Sequence, residues 1–192
     1  MNLKLTLEYD GSGYSGWQDN AGVISIQGEL TKAYNTFVNS LYKKNGIEES
    51  SNAYLKASGR TDAGVSAKAQ VVNVTWDERI PLDSPSLAKG LSALSAPGIF
   101  VRNIEIVPPD FDARFSAKSK CYTYLVADRA SLGVLTQKIA WQIDYAIDLS
   151  AIIFAAKLFV GKHDFSGFRA SDCNARTTTR TIELLEVTRL PN

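Results

Sequence analysis

Leu3, Leu5, Leu7 and Tyr9 alternate with Lys4, Thr6 and Glu8 at the start of the chain, which predicts a half-buried strand. From Ser25 the period changes. Ile26, Leu30, Ala33, Phe37, Val38 and Leu41 fall on one face of a helix, with Ser25 as its N-cap. A short strand is expected near Tyr54 to Ala57, and a second from Ala69 to Trp76. Ser84-Pro85 reads as an N-cap followed by proline at the first helical position, and Leu87, Leu91 and Leu94 continue at helical spacing. Ile99 to Val107 predicts a strand that stops at Pro108-Pro109.

This order, β-α-β-β-α-β, is that of a split βαβ (ferredoxin-like) unit. A second set begins after the prolines. Lys120 to Ala127 predicts a strand, Asp148 caps a helix through Ile152, Ile153, Ala156 and Phe159, Gly161 stops it, and Thr181 to Leu190 predicts a final strand. The expected organisation is therefore α+β, with an N-terminal half over 1–107 and a partial C-terminal half over 108–192. No strong internal sequence repeat accompanies this halving, which rests on element order alone.

Composition changes this picture little. The chain has 192 residues, 45% of them hydrophobic, enough for one large domain or two small ones with real cores. No stretch has the roughly 18 uninterrupted apolar residues of a membrane span. The N-terminus lacks the apolar segment of a signal peptide, so a cytoplasmic protein is expected. Neither Cys121 nor Cys173 has a second ligand at metal spacing, and no metal is expected. Two ordinary reduced thiols are a simpler reading than a Cys-His dyad with the single His163. The net charge of +1 does not announce a nucleic-acid partner, so any such site must come from local clustering of Arg and Lys.

The segment richest in chemistry is Gly59-Arg60-Thr61-Asp62-Ala63-Gly64-Val65, in a loop between two expected strands. Glycines allow tight turns there and leave Asp62 projecting from the tip. Such a carboxylate serves as nucleophile, general base, or simply the side chain of an Asx-turn or a surface ion pair. The first two roles require its charged form, which a nearby arginine favours.

That segment resembles the GRTDAGVHA signature of the TruA family of tRNA pseudouridine synthases. Further resemblances follow in order: Tyr9-Asp10-Gly11 through Gly16-Trp17-Gln18, Ile26-Gln27, Phe111 to Ala117 (FDARFSA) followed by Tyr122 and Tyr124, and Gly161 to Arg169 (GKHDFSGFR). Together they cover nearly the whole chain. The resemblance implies a pseudouridine synthase fold, two split βαβ halves around a mainly antiparallel mixed sheet, with the second half incomplete here. It makes Asp62 the nucleophile and Tyr122 the tyrosine that stacks on the target base. It makes Arg60, Arg114 and Arg169 candidates for phosphate binding or for pairing with Asp62, with Arg169 the first choice for the pairing. Gly59, Thr61 and Lys118 join Arg114 as expected substrate contacts.

It further implies a cofactor-free isomerisation of uridine at tRNA positions 38, 39 and 40, by a homodimer. An inactive paralogue or fragment that keeps the RNA-binding fold is the alternative. Four positions depart from the family pattern. Ser66 and Asp112 stand where histidines are usual, and Cys121 and Thr123 replace arginines flanking Tyr122. These changes reduce positive charge beside the expected site, where phosphate contacts supply much of the affinity.

Overall fold

The alternating leucines at the N-terminus form strand β1 (Asn2–Tyr9), with Leu3, Leu5, Leu7 and Tyr9 buried. The computed structural model describes residues 1–128, 137–169 and 177–190. They divide into two compact units, Met1–Cys121 and Tyr122–Asn192.

In the first unit, helix α1 (Ile26–Lys44) starts at the expected cap. The Ser25 hydroxyl accepts from the Gly28 N–H at 3.1 Å, satisfying one of the free donors of the first turn. Strands β2 (Lys56–Ala57) and β3 (Ala67–Thr75) follow, then helix α2 (Ser84–Leu94) and strand β4 (Ile99–Val107). The expected Ser84 cap is corrected. Asp83 caps α2, its carboxylate accepting from the Ser86 N–H at 3.1 Å, and Ser84 already lies within the first turn. Both residues precede the proline and both are competent caps, so the pattern alone does not separate them.

The four strands form one sheet in the order β2-β3-β1-β4, with every neighbouring pair antiparallel. Each helical connection therefore joins two strands that leave room for a third between them, which is the split βαβ topology. Leu5 of β1 sits opposite Val72 of β3 and Ile104 of β4. The core is continuous from these strands to Leu30 and Tyr34 of α1 and Leu87 and Leu91 of α2. Gly90 lets α2 approach α1, since a Cβ there would lie 2.2 Å from the Phe37 ring.

Residues 108–121 fold onto this unit. The Asn2 amide donates to the Phe111 carbonyl at 2.8 Å, and the Ala113 N–H donates to Asn73 Oδ1 at 2.9 Å.

The second unit contains the parallel pair β5 (Leu125–Asp128) and β6 (Ala140–Ile143), helix α3 (Leu149–Phe159), and the antiparallel pair β7 (Gly161–Asp164) and β8 (Thr179–Ile182). Asp148 caps α3 as expected, accepting from the Ala151 N–H at 3.0 Å, and Gly161 follows the helix end with a φ of 112°. Two expectations need correction. The strand expected from Lys120 begins only at Leu125, and the one expected over Thr181 to Leu190 runs from Thr179 to Ile182. The second ends where its partner ends, at the pair Gly161 and Ile182. Cys173 lies outside the described residues. No helix among the described residues is long and apolar enough to cross a membrane.

Candidate active site

The loop from Ser58 to Ser66 leaves the two-residue strand β2 and returns into β3. Its tip is a turn closed by the Val65 N–H donating to the Asp62 carbonyl at 3.2 Å, with Gly64 at a φ of 79°. Asp62 is exposed at this tip.

The loop is clamped by the segment that follows β1. The Trp17 N–H donates to the Thr61 carbonyl at 2.9 Å, the Gly64 N–H to the Tyr14 carbonyl at 3.3 Å, and the Gly11 N–H to Ser66 Oγ at 3.0 Å. Two glycines make this approach sterically feasible. A Cβ on Gly16 would lie 2.6 Å from the Thr61 carbonyl oxygen, and one on Gly11 would lie 2.1 Å from that of Val65. Gly16 also has a φ of 93°, which L side chains rarely adopt. Trp17 is 1% exposed, so the clamp is rooted in the core. Gln27 braces the other side, donating to the Leu55 carbonyl at 2.9 Å and accepting from Gln18 Nε2 at 3.0 Å and the Asp19 N–H at 2.9 Å. The two glycines thus act directly on the loop that carries Asp62, while Gln27 ties the clamping segment to Leu55 just before β2.

A cavity of about 650 Å³ opens beside this loop within the first unit, lined among others by Tyr54, Lys56, Gly59, Arg60, Arg114, Phe115 and Lys120. Its four cations face one acid, Asp112. Asp112 is engaged locally, accepting from the N–H groups of Arg114 at 2.9 Å and Phe115 at 3.1 Å and meeting Lys56 at 3.5 Å. The Phe115 N–H above all, with Arg114 and Lys56, holds its carboxyl below the ordinary aspartate range. The negative charge introduced at this position therefore shapes the turn that presents Arg114 and Phe115. The Arg114 guanidinium sits 5.6 Å from the Phe115 ring centroid, and Phe115 is 81% exposed. A flat cation beside an exposed ring suits the stacking of a nucleobase.

Of the expected site residues, Gly59, Arg60 and Arg114 line the cavity, and Thr61 and Asp62 continue the same loop. Arg60 forms no ion pair with Asp62 within the described first unit. Lys118 belongs to this unit and is exposed, outside the cavity lining. Tyr122 and Arg169 belong to the second unit. Tyr122 is 72% exposed, and the Arg169 N–H closes a 3-10 turn by donating to the Ser166 carbonyl at 3.2 Å. Lys120, Lys56, Tyr54 and Phe115 are additions to the sequence-based set. A Cβ on Gly59 would meet Lys120 Nζ at 2.8 Å, which places that ammonium against the loop. The spacing of Lys120 carries no signal of this; only the return of residues 108–121 to the first unit brings it there.

A carboxylate loop beside a cationic, aromatic-edged cavity fits enzymes that act on a single nucleotide of an RNA strand. A family model described as tRNA pseudouridine synthase matches residues 155–192. The tRNA pseudouridine synthase A of Bartonella tribocorum is 38% identical over 188 residues, covering 96% of this chain and 71% of the relative. That of Nitrosomonas europaea is 38% identical over 188 residues, 97% of this chain and 64% of the relative. That of Mesorhizobium japonicum is 38% identical over 189 residues, 97% of this chain and 71% of the relative. The chain belongs to the tRNA pseudouridine synthase A family.

Proposed function

We propose that this protein isomerises uridine to pseudouridine in tRNA, with Asp62 as the reactive carboxylate. The observation that supports this reading most strongly is the loop itself. An exposed aspartate is held at the tip of a backbone clamped to buried residues, beside a cavity rich in cations. The reaction breaks the N1–C1′ bond of uridine, turns the uracil, and joins C5 to C1′. Atoms and electrons are conserved, so the net reaction consumes no co-substrate. The target base must leave its stack to reach the carboxylate. Lys56, Arg60, Arg114 and Lys120 would hold the flanking phosphates, and Phe115 would offer a face to an unstacked base. Asp62 would then attack C1′, add to C6, or remove a ribose proton; each route needs the ionised carboxylate close to the bond between uracil and ribose.

The finer features belong to the same proposal. Uridines 38, 39 and 40 of the anticodon arm are the expected targets. Tyr122 is the expected stacking residue and Arg169, or failing it Arg60, the expected cation for Asp62. Two split βαβ halves, a homodimer and a cytoplasmic location complete it. The test is tritium release from tRNA carrying C5-labelled uridine. Asp62→Asn keeps the shape and loses the charge, so turnover should fall by at least roughly 10²-fold while tRNA binding persists. Turnover within a few fold of wild type would exclude Asp62 as the reactive group. Wild-type protein that binds tRNA and releases no tritium would instead make this an RNA-binding protein without the reaction.

A further inference from the structure

The inner face of β3 carries a polar residue where an apolar one is expected. Gln70, Val72 and Val74 share the buried stripe, and Gln70 is only 8% exposed. Its amide is spent on the loop. Nε2 donates to the Gly59 carbonyl at 2.6 Å, and Oε1 accepts from Ser58 Oγ at 2.8 Å. Nε2 also approaches the Tyr9 hydroxyl at 3.5 Å. Tyr9 is 2% exposed at the end of β1, and its hydroxyl bonds Thr61 Oγ1 at 2.9 Å. Two core residues on two strands thus hold Ser58, Gly59 and Thr61 just before Asp62. A methionine at position 70 would fill the same space, so packing alone does not call for the amide.

We infer that Gln70 and Tyr9 are positioning residues for Asp62, and that their hydrogen bonds to the loop govern the turnover step more than substrate binding. The inference rests on Asp62 being the reactive carboxylate. The mechanism is geometric. Of the four cations of the cavity, Lys56, Arg114 and Lys120 lie outside the loop and none is hydrogen-bonded to Gln70 or Tyr9, so only the Arg60 contact moves with the loop and most of the RNA-binding charge stays in place. A loop displaced by about 1 Å costs roughly 10²-fold in rate with little effect on binding. Burial pushes the Tyr9 hydroxyl above its ordinary range, so it keeps its proton and stays available to Thr61.

The experiment compares tritium release and thermal midpoint for Tyr9→Phe, Gln70→Met, Gln70→Glu and Asp62→Asn. Tyr9→Phe and Gln70→Met should lower kcat by roughly 10-fold to 10²-fold and leave KM for tRNA within a few fold. Gln70→Glu supplies a readout that a packing role would not move. A protonated glutamic acid can donate to the Gly59 carbonyl as the amide does; its anion cannot, and repels that oxygen. Burial raises the pKa of such a carboxyl. Its kcat relative to wild type should therefore rise as pH falls from about 8 to about 5.5, whereas that of Gln70→Met should stay flat. Tyr9 is bonded to this amide and Lys120 lies against Gly59, but both are common to the two variants, so the comparison cancels their own titration.

A dead Asp62→Asn with normal kcat in Gln70→Met and Tyr9→Phe would overturn the inference alone. Equal loss of kcat and affinity, with a flat pH ratio for Gln70→Glu, would also overturn it. An active Asp62→Asn would remove the premise beneath it. Should Gln70→Met not fold, Tyr9→Phe and the pH ratio of Gln70→Glu decide the matter in the same way.

Discussion

In α1 the apolar stripe of Ile26, Leu30, Ala33 and Val38 is sealed into the core, whereas in α3 only Ala156 is buried and Ile152, Ile153, Phe154 and Leu158 are exposed. Yet α3 is the more apolar helix, with one charged residue, Lys157, in its span. The same contrast holds for strands. Leu3, Leu5 and Leu7 of β1 are fully buried, while Trp141 of β6 is 67% exposed. The first unit closes its core with neighbours on both sides of β1. Among its described residues the second presents two separate strand pairs, each of four-residue strands. Apolar composition states a demand for cover, and topology decides whether nearby residues meet it.

The contrast can be tested directly. Leu5→Ala should cost about 2–5 kcal/mol, because it opens a cavity among residues that cannot collapse freely. Phe154→Ala should change stability by no more than about 0.5 kcal/mol, as surface substitutions usually do. Urea unfolding of both variants checks this. A comparable cost at Phe154 would show that the α3 face is covered in solution.

Glycine provides a sharper version. Gly16 in the first unit and Gly161 in the second both have positive φ, at 93° and 112°. Alanine should be strained at both, by roughly 1–3 kcal/mol. At Gly16 it also meets the Thr61 carbonyl, which is backbone, while at Gly161 its nearest neighbour is the flexible His163 ring at 3.3 Å. Gly16→Ala should therefore be the more destabilising of the two, and should reduce turnover by displacing the Asp62 loop. Equal melting points would mean that the clamp yields more easily than the geometry indicates.

The smallest effect concerns acid. Asp77 accepts from Arg79 and from the Tyr42 hydroxyl, and the arginine holds its carboxyl far below the ordinary range. Asp128 is lowered mainly by Arg189 in the second unit. A depressed carboxyl contributes stability above its unfolded pKa of about 3.9 and loses it as pH falls through the folded value. Melting points measured from about pH 6 to about pH 2 should decline. Arg79→Ala and Arg189→Ala should each flatten that decline, Arg79→Ala more. An unchanged slope would show these pairs to be loose in solution.

Much of the first unit is legible in the amino-acid pattern, and the reasons are local. Ser25 precedes a long run of period 3.6, and β1 alternates over its whole length. Both signals are decided within a few residues. Asp83 against Ser84 is undecided for the same reason, since two good caps are adjacent. In the second unit, Gly-Lys-His-Asp of β7 has no alternation to read, and Ala140–Ile143 is too short to stand out. β8 is limited by pairing, since its extent follows β7 rather than its own Ile182, Leu184, Leu185 and Val187. The site divides in a similar way. The Asp62 loop is visible as a glycine-bounded segment. The clamp at Gly11 and Gly16 and the amide at Gln70 are visible only once β1 and β3 are paired, and the cation at Lys120 only once residues 108–121 return to the first unit.

That dependence has a kinetic side. The clamp joins Trp17 to Thr61, and the pairing beneath it joins Asn2 to Thr75. Both are distant along the chain, so the entropy of closing a long loop must be overcome before either forms. A nascent chain that has made α1 alone has nothing to hold residues 58–66 in place. The loop should acquire its shape in the same cooperative step that assembles the sheet, and partly folded molecules should carry Asp62 without a fixed geometry. A folding intermediate of this protein would then be inert toward RNA chemistry even while its basic side chains attract the strand.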